Sequence, residues 1–340
     1  MQNRTYISDI PFELESGISL PFLKLQYATA GKLNQKGDNV IWICHALTAN
    51  ADFESWWSGM AGPGKPFDTN KFFIVCANMP GSCYGSISPY SENPETGAPW
   101  MLDFPELSNR DIVKAFIKLR KYLDIEHIHT LTGGSMGGQQ ALEWAITEPD
   151  CIKRFIPIAT NAFHSPWGIA FNEAQRMAIE ADATFFSKEP GSGKDGLKAA
   201  RAVALLSYRN YDVYYNTQLI RNDITQNIPP AVSYQRYQGE KLINRFNAHS
   251  YWYLSKAMDS HDVSRSRESL QSALHKIEAD TLIIGINSDI LFPIREQKLL
   301  ETHIERSNLV TIDSTYGHDG FLLESEKLTT AITNHFKNTY

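Results

Sequence analysis

Thr130-Leu131-Thr132-Gly133-Gly134-Ser135-Met136-Gly137-Gly138-Gln139 is the stretch on which the reading of this chain turns. It holds G-x-S-x-G as Gly133, Ser135 and Gly137, after a strand candidate at Ile128–Leu131 and before a helix candidate at Gln139–Ile146. Strand, sharp turn, helix is the context a nucleophile elbow requires. A serine at such a strained turn needs small neighbours, and four glycines supply the room. The helix N-terminus then presents backbone N–H groups to a developing oxyanion. A phosphate-cradling loop is the rival reading. The glycines do not follow G-x-G-x-x-G and no G-K-[ST] comes after them.

Outward from the elbow, short apolar runs alternate with helical patterns. Phe22–Thr29 alternates like a strand, and Val40–Cys44, Phe72–Cys76, Phe155–Ile158, Thr281–Gly285 and Leu309–Ile312 are further candidates. Runs apolar on both faces suit the inner strands of a parallel sheet. Asp111–Leu123 places Ile112, Phe116, Leu119 and Leu123 on one helical face, and Glu296–His303 and Ser325–Phe336 are also helical. Strand–helix alternation predicts an α/β fold, a mostly parallel central sheet flanked by helices. Two segments break the pattern. Gly81–Pro105 reads as a long loop of the functional or mobile kind. Phe163–Leu274 is helical and polar-aromatic, holding eight of the 15 tyrosines. The expected organisation is a core of residues 1–162 and 275–340, with 163–274 inserted as a helical cap.

The net charge of −6 and the lack of a basic stripe argue against a nucleic-acid partner. No apolar run approaches the ~18 residues of a membrane span, and Met1–Tyr6 carries no secretory h-region. Cys44, Cys76, Cys83 and Cys151 form no C-x-x-C pair and no Cys/His cluster with metal-ligand spacing. A reduced, cytoplasmic setting without a metal site is expected.

The chain order Ser, acid, His belongs to this kind of elbow. Asp289 follows the strand candidate ending near Ile286, whereas Asp280 lies at its wrong end. His318, between Gly317 and Asp319, follows the last strand candidate and opens the final helical region. Asp289 would orient His318, and His318 would deprotonate Ser135. The loop after Val40–Cys44 should supply a second oxyanion donor, so the backbone N–H groups of Leu47 and Met136 are the expected pair. His45 reads as a packing residue at the strand end.

Several blocks now resemble one family, the homoserine O-acetyltransferases of the α/β-hydrolase fold. They include Cys44-His45-Ala46-Leu47-Thr48, Gly81–Ser86, Asn93–Gly97, Gly133–Gly138 continuing into Gln140–Trp144, Ile169–Glu173, Arg245–Tyr251, Ser288–Pro293 and Tyr316–Asp319. The resemblance covers nearly the whole chain. It implies acyl transfer from acetyl-CoA through an acyl-serine to the γ-hydroxyl of L-homoserine, in methionine synthesis, with acetyl-CoA as co-substrate and no bound cofactor. It also implies Arg201 for the substrate carboxylate, Tyr208, seven residues on, as a second substrate-binding residue, Asp319 for the ammonium group, and a homodimer through the cap. Lys65, Arg209, Lys241 and Arg245 are candidates for the CoA phosphates. The chain departs from the family pattern at Ala49-Asn50-Ala51-Asp52 and at Gly320. Some members take succinyl-CoA, and a serine hydrolase would use the same triad with water as acceptor.

Overall fold

The structure, a computed structural model, describes residues 1–219 and 228–337. Its strands are β1 (Gln2–Ser8), β2 (Phe12–Glu13), β3 (Ser19–Leu20), β4 (Leu23–Ala30), β5 (Val40–Cys44), β6 (Phe73–Ala77), β7 (Ile128–Gly134), β8 (Ile152–Ile158), β9 (Asp280–Ile286) and β10 (Ser307–Ile312). Eight of them form one sheet in the order β1-β4-β6-β5-β7-β8-β9-β10. From β6 to β10 neighbouring strands run parallel, and β1 and β4 join antiparallel at one edge. β2 and β3 form a separate small ladder.

The continuous apolar runs are explained by burial on both faces. Val40, Trp42 and Cys44 of β5 enter one core layer, with the helices Asn109–Tyr122 and Met136–Thr147 packed over it. Ile41 and Ile43 enter the opposite layer with Leu328 and Ile332 of the helix Ser325–Lys337. The helix Asn109–Tyr122 starts where Ser108 and Asp111 form a reciprocal capping box, which satisfies two of its orphan N–H groups. Among the four free cysteines, Cys44, Cys76 and Cys151 are buried.

Each expected strand and helix forms, with ends shifted by a few residues. The sequence reading missed β1. Its side chains are mostly exposed, so no apolar signal marks it, and its seven residues are held by backbone pairing to β4. Between β8 and β9 the described residues form helices and no strand. The longer ones are Pro166–Glu180, Lys194–Tyr208, Tyr211–Gln218, Pro230–Ile243 and Ala248–Asp259. Among the described residues, no helix is long and apolar enough to cross a membrane.

Register brings the C-terminal ends of the parallel strands to one edge. Cys44 of β5 pairs with Gly133 of β7, and Gly134 pairs with Ile158 of β8. Ligands of open parallel sheets bind at that edge, where loops leave the strands.

Candidate active site

Ser135 sits between β7 and the helix Met136–Thr147, with φ 57° and ψ −128°. A positive φ is strained for a non-glycine residue, and such strain persists only where the surroundings enforce it. Here Ser135 N–H donates to Ile158 O at 3.0 Å, and Thr160 Oγ1–H donates to Ser135 O at 3.0 Å. The adjoining glycines are required by contact. A Cβ on Gly137 would lie 2.1 Å from Cys44 O, and one on Gly133 would lie 2.4 Å from Gly137 itself. The helix thus starts directly against the end of β5.

Asp289 follows β9 and is buried. Its Oδ1 accepts from the N–H groups of Leu291 and Phe292, both at 2.8 Å, and its Oδ2 lies 2.6 Å from His318 Nδ1. Three contacts fix one carboxylate. Nδ1–H is therefore the donor to Asp289, which leaves Nε2 with the free lone pair. That Nε2 is buried without a protein hydrogen-bond partner among the described residues. Phe292 stacks on the imidazole at 5.0 Å between ring centres, Phe321 lies at 5.2 Å and Tyr208 at 5.8 Å. Gly317 N–H donates to Ser288 Oγ at 3.0 Å, tying the histidine loop to the loop of the acid.

Ser135 and His318 line one cavity of about 310 Å³. Leu47, Arg201, Tyr208 and Asp319 line it too, as do Trp56, Lys241 and Arg245. Met136 directly follows Ser135, with its side chain in the core and its backbone N–H in the first turn of the helix. The loop carrying Leu47 is held from beneath by His45. Its Nδ1 contacts Ala46 O at 2.9 Å and its Nε2 accepts from Met79 N–H at 3.3 Å. Burial pushes its pKa down to about 4, so the ring is neutral and packs, as expected.

Arg201 lies with its guanidinium carbon 5.5 Å from the centre of the Tyr208 ring and makes no ion pair among the described residues. Asp319 is different: Arg209 Nε lies 2.6 Å from its Oδ2, a charge contact without hydrogen-bond alignment. Arg209, named from sequence among the phosphate candidates, is thus committed to a carboxylate. Lys65 lies outside the cavity lining, whereas Lys241 and Arg245 are part of it. Sequence reasoning missed the Arg209–Asp319 pair and the Phe292 stack on His318. The only signal for the first is the adjacency of Arg209 to Tyr208.

A family model for the α/β hydrolase fold matches residues 39–325. A homoserine O-acetyltransferase of Cyclobacterium marinum is 49% identical over 315 residues, covering 93% of this chain and 90% of that protein. The chain belongs to the homoserine O-acetyltransferase family. Solved structures agree with this family of acyltransferases and its fold. A homoserine O-acetyltransferase from Staphylococcus aureus superposes with a TM-score of 0.81 at 27% identity, over 100% of this chain and 96% of that one. An acetylester hydrolase from Corynebacterium glutamicum superposes at 0.86 with 25% identity, over 99% and 96%. The fold therefore serves both transfer and hydrolysis, and the acceptor is set by the residues that line the cavity.

Proposed function

We propose that this protein transfers an acetyl group from acetyl-CoA to the γ-hydroxyl of L-homoserine in two half-reactions, in the synthesis of a methionine precursor. The observation that carries the reading is the cavity of Ser135 and His318. It holds a guanidinium, Arg201, with no ion pair among the described residues, and a carboxylate, Asp319. An α-amino acid presents the opposite pair of charges, and a simple ester presents neither.

In the first half-reaction, Ser135 Oγ attacks the thioester carbonyl as its proton passes to His318 Nε2. The N–H groups of Leu47 and Met136 receive the oxyanion. The carbon–sulfur bond breaks, the thiol leaves with the proton from His318, and acetyl-Ser135 remains. In the second, the homoserine hydroxyl gives its proton to the same Nε2 and attacks the acyl carbon. Collapse returns the proton to Ser135 Oγ. Asp289 stabilises the imidazolium in both steps. No electrons are transferred, so the cycle requires no redox group. Lys241 and Arg245 supply positive charge for the phosphates of CoA.

Residues 163–274 act as a cap, contributing Arg201, Tyr208, Lys241 and Arg245 to the cavity of the core. Tyr211, Tyr215, Leu219, Ile228 and Val232 of this segment are exposed, which favours a homodimer formed through it. Sedimentation at micromolar concentration tests that point.

The test of function is CoA release from acetyl-CoA or succinyl-CoA, with and without homoserine. Acetyl-CoA should give a burst equal to the enzyme, then turnover only with homoserine. Continuous release without homoserine would mean a hydrolase. A burst from succinyl-CoA alone would change the donor.

A further inference from the structure

Arg201 and Asp319 carry opposite charges and line the same cavity. Left alone, such groups attract each other, and an internal ion pair competes with any zwitterionic ligand. Neither is paired with the other. Asp319 is instead held by Arg209, which precedes the helix Tyr211–Gln218 and does not line the cavity. Both partners are largely buried, with side-chain exposures of 20% and 14%.

The backbone that carries Arg209 is fixed. Its N–H donates to Leu205 O at 3.0 Å, and the following Asn210 caps the next helix by accepting from Val213 N–H at 3.1 Å. The histidine loop packs against this same point. Gly317 has φ +64°, and a Cβ there would lie 3.0 Å from Tyr208 O and Arg209 C, and 3.1 Å from Asn210 N. Cap segment and histidine loop therefore meet backbone to backbone, and Arg209 reaches across that seam to the residue after His318. Its contact takes Oδ2 of Asp319. No hydrogen bond and no second ion pair reaches the carboxylate among the described residues, so Oδ1 remains for a ligand.

We infer that Arg209 is a positioning residue that holds Asp319 away from Arg201, leaving one carboxylate oxygen for the ammonium group of the acceptor. The inference rests on the amino-acid acceptor proposed above. It makes Arg209 act on acceptor binding through Asp319, not on acyl-enzyme formation.

The experiment compares Arg209→Met, Arg209→Lys, Asp319→Asn and the Arg209→Met/Asp319→Asn pair in the full chain. Acetyl-CoA burst rates and homoserine kcat/KM are measured for each. Arg209→Met, similar in length but uncharged, should lower homoserine kcat/KM roughly 10- to 100-fold, between the cost of losing an exposed ion pair and that of losing a fully buried one. Most of that loss should lie in KM, and the burst should slow far less. Arg209→Lys should recover part of the loss, since it keeps the positive charge but places it at the end of a flexible stem. The double variant should be no worse than Asp319→Asn alone, because residues acting through one another are non-additive. Losses that multiply in the double variant, or equal slowing of burst and transfer, would overturn the inference. If Arg209→Met does not fold, Arg209→Gln, also uncharged, decides: a wild-type homoserine KM in it refutes the inference. Wild-type enzyme that shows no homoserine-dependent turnover refutes the acceptor reading instead, before any variant is compared.

Discussion

Asp289→Asn isolates what the buried carboxylate does for His318. Asp289 accepts two backbone N–H groups through Oδ1 and the imidazole Nδ1–H through Oδ2. An asparagine placed there keeps a carbonyl oxygen for Leu291 and Phe292 N–H, so the loop retains its support. Its NH2 then faces Nδ1, which must accept, and the ring proton moves to Nε2. A protonated Nε2 in a neutral ring cannot take the proton of Ser135. The charge that would stabilise the imidazolium is also gone. The expected loss in kcat is ~10³- to 10⁴-fold, about 4–5.5 kcal/mol of transition-state stabilisation. Alanine would be a poorer test. It would strand two buried N–H groups at about 1–3 kcal/mol each and mix stability with chemistry. The assay is the rate of the CoA burst, read beside the thermal midpoint. A burst within tenfold of wild type in a protein of unchanged midpoint would show that His318 does not depend on Asp289, and the proposed triad would fall.

Three further outcomes are expected. Ser135→Ala should lower kcat ~10⁴-fold or more and leave no acyl-enzyme detectable by intact mass; a tenth of the activity remaining would remove Ser135 from the mechanism. Arg201→Ala should keep the CoA burst but lower kcat/KM for homoserine roughly 30- to 1000-fold, as a charge-assisted contact to the carboxylate is lost; an equal loss in both phases would place Arg201 on the donor side. Burial raises Glu296 from 4.5 to about 7, while Asn161 donates to its carboxylate at 2.9 Å. Because its folded pKa exceeds the unfolded one, the folded state binds the extra proton between those values and stability falls as pH rises through that window. Glu296→Gln should therefore stabilise the protein at pH 8 relative to pH 5, by on the order of 1–3 kcal/mol; an equal change in thermal midpoint at both values would contradict this.

The elbow was legible in the sequence because its constraints are local. Gly133 and Gly137 must lack a Cβ for Ser135 to sit between β7 and its helix, and those residues are neighbours in the chain. The buried strands were equally plain, since a strand covered on both faces has to be apolar throughout, as β5 is. Asp289 and His318 could be located because each follows a strand whose end lies at the same sheet edge. β1 was invisible: backbone pairing to β4 holds it, and backbone pairing leaves no mark on side-chain type.

Tertiary structure alone decided how the charges around the cavity are shared. Arg201 and Arg209 are eight positions apart and chemically alike, yet one lines the cavity with no ion pair among the described residues and the other is bound to Asp319. The Phe292 ring that stacks on His318, and the Nε2 left without a partner among the described residues, belong to the same class of fact. Residue identity specifies what a side chain can do. Its partner is set by which distant backbone segments pack together, as at the seam between Gly317 and Tyr208–Asn210, and a linear pattern of polar and apolar residues does not encode that meeting.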